Sequence, residues 1–150
     1  MSRARALRAA LAVLVAAAAL TLAAQPGVFT TVDLYVVSDA PVAAWQVELT
    51  ERRGAMQIVG IERGDDSTFR DPPFYDRVAL ERDATDRIVL ASFSLSDSQQ
   101  LARGRVRIAR VHVRAAGAVV PDFEARLLAA GTADGRPIAA QLSLEAQPER

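Results

Sequence analysis

The stretch holding the only tryptophan follows a strict period of two. Ala43, Trp45, Val47 and Leu49 fall on one side of the alternation, and Ala44, Gln46, Glu48 and Thr50 on the other. That is a strand with one buried and one wet face. Trp45 is the largest apolar group available, so a core is expected to form around it. The pattern recurs along the chain. Residues 28–37 put Val32, Leu34 and Val36 on one face and Asp33, Tyr35 and Val37 on the other. Residues 56–61 are apolar on both faces, with Met56, Ile58 and Gly60 against Val59 and Ile61, which predicts a central strand. Val89, Ala91, Phe93 and Leu95 share a face; Phe123, Ala125, Leu127 and Ala129 alternate; so do Ile138, Ala140, Leu142 and Leu144. Over residues 105–114 the apolar positions change phase, from Val106 and Ile108 to Val111 and Val113. One extra residue near Ala109 and Arg110 restores the alternation, so a β-bulge is predicted there.

Between these runs lie turn signals at residues 38–41, 51–54, 83–86 and 131–137, rich in Gly, Pro, Asp and Ser. Val78, Ala79 and Leu80 read as a short edge strand. Residues 96–102 read as one helical turn capped by Ser96 or Asp97, and residues 147–150 as a frayed tail. Eight or nine short strands, turns every eight to twelve residues and no sustained helix after residue 24 predict an all-β fold, an antiparallel β-sandwich.

Residues 1–24 read differently. Arg3, Arg5 and Arg8 precede an unbroken apolar run over residues 11–20, and small residues at 21–24 offer a cleavage site. This is the pattern of a secretory signal peptide, with a single domain expected over residues 25–150, secreted or periplasmic. An uncleaved N-terminal anchor is the alternative, although the run is shorter than the roughly 20 residues of a membrane span. Removing the segment takes three of the 18 basic side chains with it and none of the 18 acidic ones. A mildly acidic domain of this kind is poorly suited to nucleic acid, and no membrane partner is expected after signal removal. The chain has no cysteine, so no disulfide supports it.

The order of features resembles the cohesin domain and its carbohydrate-binding relatives. Three segments carry the resemblance. The first is residues 29–39, Phe-Thr-Thr-Val-Asp-Leu-Tyr-Val-Val-Ser-Asp. The second joins residues 43–50, Ala-Ala-Trp-Gln-Val-Glu-Leu-Thr, to residues 56–64, Met-Gln-Ile-Val-Gly-Ile-Glu-Arg-Gly. The third joins residues 88–94, Ile-Val-Leu-Ala-Ser-Phe-Ser, to residues 104–114, Gly-Arg-Val-Arg-Ile-Ala-Arg-Val-His-Val-Arg. The resemblance implies a jelly-roll sandwich that binds and does not catalyse, its partner a protein of the dockerin type. The carbohydrate-binding relatives imply a second ligand class, polysaccharide held on exposed aromatic rings, sometimes with a structural calcium. The only tryptophan sits at a core position, so a flat indole platform for polysaccharide is missing.

Within the chain, residues 63–76 have the weakest periodicity and the most turn residues, and a loop this long is usually functional or mobile. In it, Asp71, Pro72, Pro73, Phe74, Tyr75 and Asp76 form the leading binding segment. Two prolines stiffen it and lower the entropy lost on binding, while Phe74 and Tyr75 are the residue types favoured at binding hot spots. The competing reading has Phe74 plugging one end of the sandwich with Tyr75 covering it. Tyr35 is a further aromatic candidate. Asp65, Asp66, Asp71 and Asp76 crowd this loop and, with Ser67 and Thr68, offer oxygen donors for calcium, Asp65 and Asp66 foremost, although their spacing matches no helix–loop–helix site and a solvated turn is the better reading. No other cofactor is implied. His112 is the only histidine and lies on the face of Arg110 and Arg114, taken as solvent-facing. A triad would also need a positioned nucleophile and an orienting group, and although Ser92 and Ser94 could supply hydroxyls nothing in the sequence places them, so His112 reads as an ordinary surface residue. Arg105, Arg107, Arg110 and Arg114 form a basic strand surface that Glu48, Glu51 or Glu124 is expected to neutralise across strands.

Overall fold

The computed structural model describes residues 27–115 and 120–148; the signal-like segment, residues 1–24, lies outside them. Among the described residues eight strands form two antiparallel sheets: β1 (Val28–Ser38), β2 (Ala44–Glu51), β3 (Met56–Arg63), β4 (Phe74–Tyr75), β5 (Arg87–Phe93), β6 (Gly104–Ala115), β7 (Phe123–Gly131) and β8 (Gln141–Pro148). One sheet has the order β3-β6-β1-β8 and the other β4-β5-β2-β7. The chain is an antiparallel β-sandwich, as its alternation predicts.

The inner faces are those expected from the sequence. Val32, Leu34 and Val36 of β1 meet Trp45, Val47 and Leu49 of β2, and all six are essentially solvent-free. Trp45 packs edge-on against Phe69 at a centroid distance of 6.3 Å. Phe69 comes from the loop after β3 and so anchors that loop to the core. The indole Nε1 is buried with no hydrogen-bond partner among the described residues; packing, not polar contact, holds the ring.

Bulges account for the places where simple alternation misleads. Leu34 of β1 pairs with Ala109 and Tyr35 with Arg107, so Ile108 is the extra residue. Ile108 and Ala109 are both buried, which is the phase slip seen in the sequence, one residue from its expected position. In β3 the register slips between Ile58 and Gly60, and Val59 bulges out to 58% exposure. Its apolar character on both faces comes from this bulge and not from burial: β3 is an edge strand, not a central one. In β7 the slip falls at Leu128, so Phe123, Ala125 and Leu127 pack inward, Ala129 turns to solvent and Ala130 is buried. On β5 the shared face of Val89, Ala91 and Phe93 is the outer one; Ile88, Leu90 and Ser92 point in.

Three further expectations are corrected. The stretch expected as an edge strand at residues 78–80 is a short helix, α1 (Arg77–Glu81). Asp76 caps it, its Oδ1 accepting from the Val78 amide at 2.9 Å, and Ala79 is its buried residue. Residues 96–102 form a hydrogen-bonded turn, Gln100 N to Asp97 O at 2.8 Å, and not a helix. Gln147 and Pro148 are paired with Thr31 and Thr30 and are not frayed; residues 149–150 lie outside the described residues.

Candidate functional site

The long loop between β3 and α1 is not wholly irregular. Phe74 and Tyr75 form the two-residue edge strand β4, opposite Ala91 and Leu90 of β5. Pro73 is buried, Pro72 exposed, and together they bring the chain to the sheet edge in extended form. Alternation then separates the two aromatics. Tyr75 turns inward and packs on the core. Phe74 turns outward and is 65% exposed, so it does not plug the sandwich.

Phe74 lies diagonally from Phe93, two residues along β5 from Ala91. Their rings stack at 6.0 Å with 5° between planes, and Phe93 is itself 55% exposed. Leu95, just beyond, is almost fully exposed. The stacked pair is a ridge between two grooves. One, about 540 Å³, runs between the residue 68–72 segment and the turn after β5, with Arg70, Asp71, Asp97 and Gln100 along it. The other, about 480 Å³, crosses the sheet over Ala44, Ala91 and Ala129 to Pro137. Small side chains form its floor, which is why the neighbouring phenylalanines stand proud. Farther along the same face, Glu48 accepts from Arg87 Nη1 at 3.3 Å and Arg126 Nη2 at 3.1 Å. The face thus combines an apolar ridge with a charged surround.

The opposite sheet carries a different surface. Asp33 is on the outer face of β1 yet only 4% exposed. Arg110 covers it with two hydrogen bonds, Nε to Oδ1 at 2.7 Å and Nη2 to Oδ2 at 2.8 Å, and Arg107 Nη1 adds a third at 3.4 Å. Burial pushes the Asp33 carboxyl up, but the hydrogen bonds and charges of Arg110 and Arg107 outweigh it and hold the group below the usual carboxylate value. The same hydrogen bond raises Arg110. Tyr35 lies under the guanidinium of Arg105, 3.5 Å from ring centroid to Cζ, and Arg105 Nη2 donates to Glu145 at 2.6 Å. His112 Nε2 lies 3.0 Å from Glu62 Oε1. Arg105, Arg107 and Arg110 of the stripe therefore meet carboxylates of β8, β1 and the loop after β3, namely Glu145, Asp33 and Asp65, while Arg114 lies over the Phe29 ring, 6.0 Å from its centroid. The expected Glu48, Glu51 and Glu124 belong to the other sheet.

Of the sequence-derived candidates, Asp71, Pro72 and Phe74 line one groove. Pro73 and Tyr75 support them from beneath, and Asp76 caps α1. Tyr35 stands apart from them, on the outer face of the other sheet. Phe93 and Leu95 were not among the candidates; their shared period-2 face was visible, but nothing local marks it as the outer one. The calcium candidates do not converge. Asp65 turns to Arg107, while Asp66 accepts from the amide (2.7 Å) and the hydroxyl of Thr68. Among the described residues no three His, Cys, Asp or Glu side chains are placed to hold a metal, so the donor set does not fit a calcium ion. Ser92 and Ser94, the hydroxyls considered for a triad, lie on and just after β5 in the sheet opposite His112. Among the described residues no helix is long and apolar enough to cross a membrane.

Two four-stranded antiparallel sheets packed in this order define the class: the chain is a cohesin-like β-sandwich. Among solved structures it is similar to the sixth cohesin of scaffoldin B from Acetivibrio cellulolyticus, in complex with a Cel5 dockerin, at a TM-score of 0.58 and 13% identity over 81% of this chain and 89% of that one. It is similar also to the type I cohesin–dockerin complex Coh-OlpA–Doc918 from Clostridium thermocellum, at 0.55 and 13% over 77% and 84%. A non-cellulosomal cohesin from the hyperthermophilic archaeon Archaeoglobus fulgidus aligns at 0.50 and 9% over 77% and 75%. No family model matches the sequence, and no curated protein matches it.

Proposed function

We propose that this chain is a secreted, non-catalytic binding module that docks a protein partner on the outer face of the β4-β5-β2-β7 sheet. The observation that carries the reading is the Phe74–Phe93 ridge. Two large apolar rings, both more than half exposed, stand between two grooves on a rigid sheet. Aromatic anchors set in a charged surround are the anatomy of a protein interface. Two of the similar folds are solved in complex with dockerins, which supports a protein partner and makes a dockerin-type one the first to test. The basic and apolar pattern of residues 1–24 supports secretion. Binding by purified dockerins and by proteins of the native secreted fraction tests the reading. F74S combined with F93S is expected to weaken capture at least about tenfold, whereas Tyr35→Ala leaves it unchanged. Loss on Tyr35→Ala but not on the double change would overturn the placement.

A second reading is favoured by the groove beside the ridge. An exposed aromatic next to Arg70, Asp71, Asp97 and Gln100 offers the stacking face and the hydrogen-bonding groups that a polysaccharide requires. Retention on insoluble polysaccharides, lost in Phe74→Ala, would move the proposal to a carbohydrate-binding module.

A further inference from the structure

The two sheets have four outermost strands, and three of them carry a device that obstructs pairing with another strand. β3 is broken by the Val59 bulge and ends in Glu62 and Arg63. β4 is two residues long and follows two prolines. β7 bulges at Leu128 and presents Glu124 and Arg126. β8 has none of these. Its register against β1 runs unbroken from Gln141 to Pro148. Its one charge, Glu145, is held by Arg105 at 2.6 Å, and its one proline is the last residue. Its apolar side is also incompletely covered: Leu142 and Leu144 pack on the core yet remain partly exposed, and Ala146 is exposed.

We propose that β8 pairs antiparallel with β8 of a second copy of this chain, about a two-fold axis at Leu144. Directly opposed residues of an antiparallel pair share a face, and in this register every opposition is compatible. Leu144 meets Leu144 of the second copy, Leu142 meets Ala146, Ser143 meets Glu145 and Gln141 meets Gln147. The apolar positions meet on the inner side and no like charges meet. Centring the pair one residue later sets Glu145 against itself. Centring it one residue earlier leaves residues 146–148 without partners. The interface is isologous and joins the two four-stranded sheets into one of eight strands. The Phe74–Phe93 ridge belongs to the other sheet, at the end away from β7, and stays open in both copies. The dimer is therefore bivalent for whatever the ridge binds, although the pairing does not depend on that binding.

Sedimentation velocity on the full chain, across concentrations up to about 100 µM, tests this. Ser143 is exposed, so replacing it leaves the monomer fold intact, as circular dichroism verifies. S143E sets a carboxylate against Glu145 of the second copy and is expected to weaken dimerisation at least about tenfold; S143K sets an ammonium there and retains or tightens it. Because the chain has no cysteine, L144C is expected to give a disulfide-linked dimer on mild oxidation, and Q57C on the protected β3 edge is not. A wild-type chain that stays monomeric overturns the proposal. So does association that S143E leaves unchanged, which would place the contact outside β8.

Discussion

Asp33 occupies a position that alternation assigns to solvent, and the structure removes it from solvent by covering it with two arginines. The arrangement makes Asp33 the charge on which the outer face of the β3-β6-β1-β8 sheet is organised. With an amide in its place, Arg110 loses the charge pairing and at least one of its two hydrogen bonds, because the amide offers one acceptor oxygen and an NH2 donor, and Arg107, whose Nε has no partner among the described residues, loses one of its two carboxylate contacts. Asp33→Asn is expected to cost about 3 kcal/mol, the low end for breaking a buried pair, because Arg110 keeps partial access to water. The carboxyl is depressed in the folded state, so its contribution is complete above the unfolded value of about 3.9 and is lost as pH falls through the lower folded value. Denaturant melts should therefore show a constant gap between wild type and variant near neutrality. Below about pH 4 the gap should close, as protonation makes the native side chain resemble the amide. A gap that persists into acid would mean the aspartate acts by shape rather than by charge.

At the scale of elements, the loop after β3 is positioned by one close backbone approach. A Cβ on Gly64 would sit 1.9 Å from the carbonyl oxygen of Arg107 and 2.6 Å from its carbonyl carbon. Only a hydrogen fits, and that contact lets the Asp65 amide donate to the Arg107 carbonyl at 3.0 Å. Backbone cannot yield as a flexible side chain can, so Gly64→Ala is expected to cost about 2–3 kcal/mol through overpacking. Hydrogen exchange should show lost protection at Asp65 and at the Phe69 amide, which donates to Asp66 O at 3.3 Å, with the β1–β2 core still protected. Uniform loss across all strands would show that the loop and the sandwich melt as one unit. Asp76 acts at the same scale. Its carboxylate turns residues that read as an edge strand into α1, so Asp76→Ala is expected to remove about 1 kcal/mol and the helical signal of residues 77–81 in NMR shifts.

For the whole molecule, binding and stability are expected to separate. Phe74 and Phe93 stack on the outside of the sheet, whereas Trp45 sits between the sheets at 2% exposure. Changing both phenylalanines to serine should leave the unfolding midpoint nearly unchanged while weakening capture at least about tenfold; Trp45→Ala should cost about 3–5 kcal/mol. A double variant that unfolded would make the ridge a structural element instead of a binding surface. The contrast also marks the limit of what residue order conveys. The period of two identified every strand but β4, the inward faces of β1 and β2, the Trp45 core and the bulge in β6, because burial imposes its pattern on neighbouring residues of one strand. The resemblance to cohesins followed from the same local pattern. Which strands form the edges, which face of β5 is outer, how Phe74 and Phe93 come to stack and which carboxylates meet the arginine stripe depended on the tertiary structure. Each of those joins residues far apart in the chain, and a bulge at Val59 or Leu128 exchanges inside for outside with no change in composition. Alternation is written residue by residue; pairing and edge are settled only when one strand has found its neighbours.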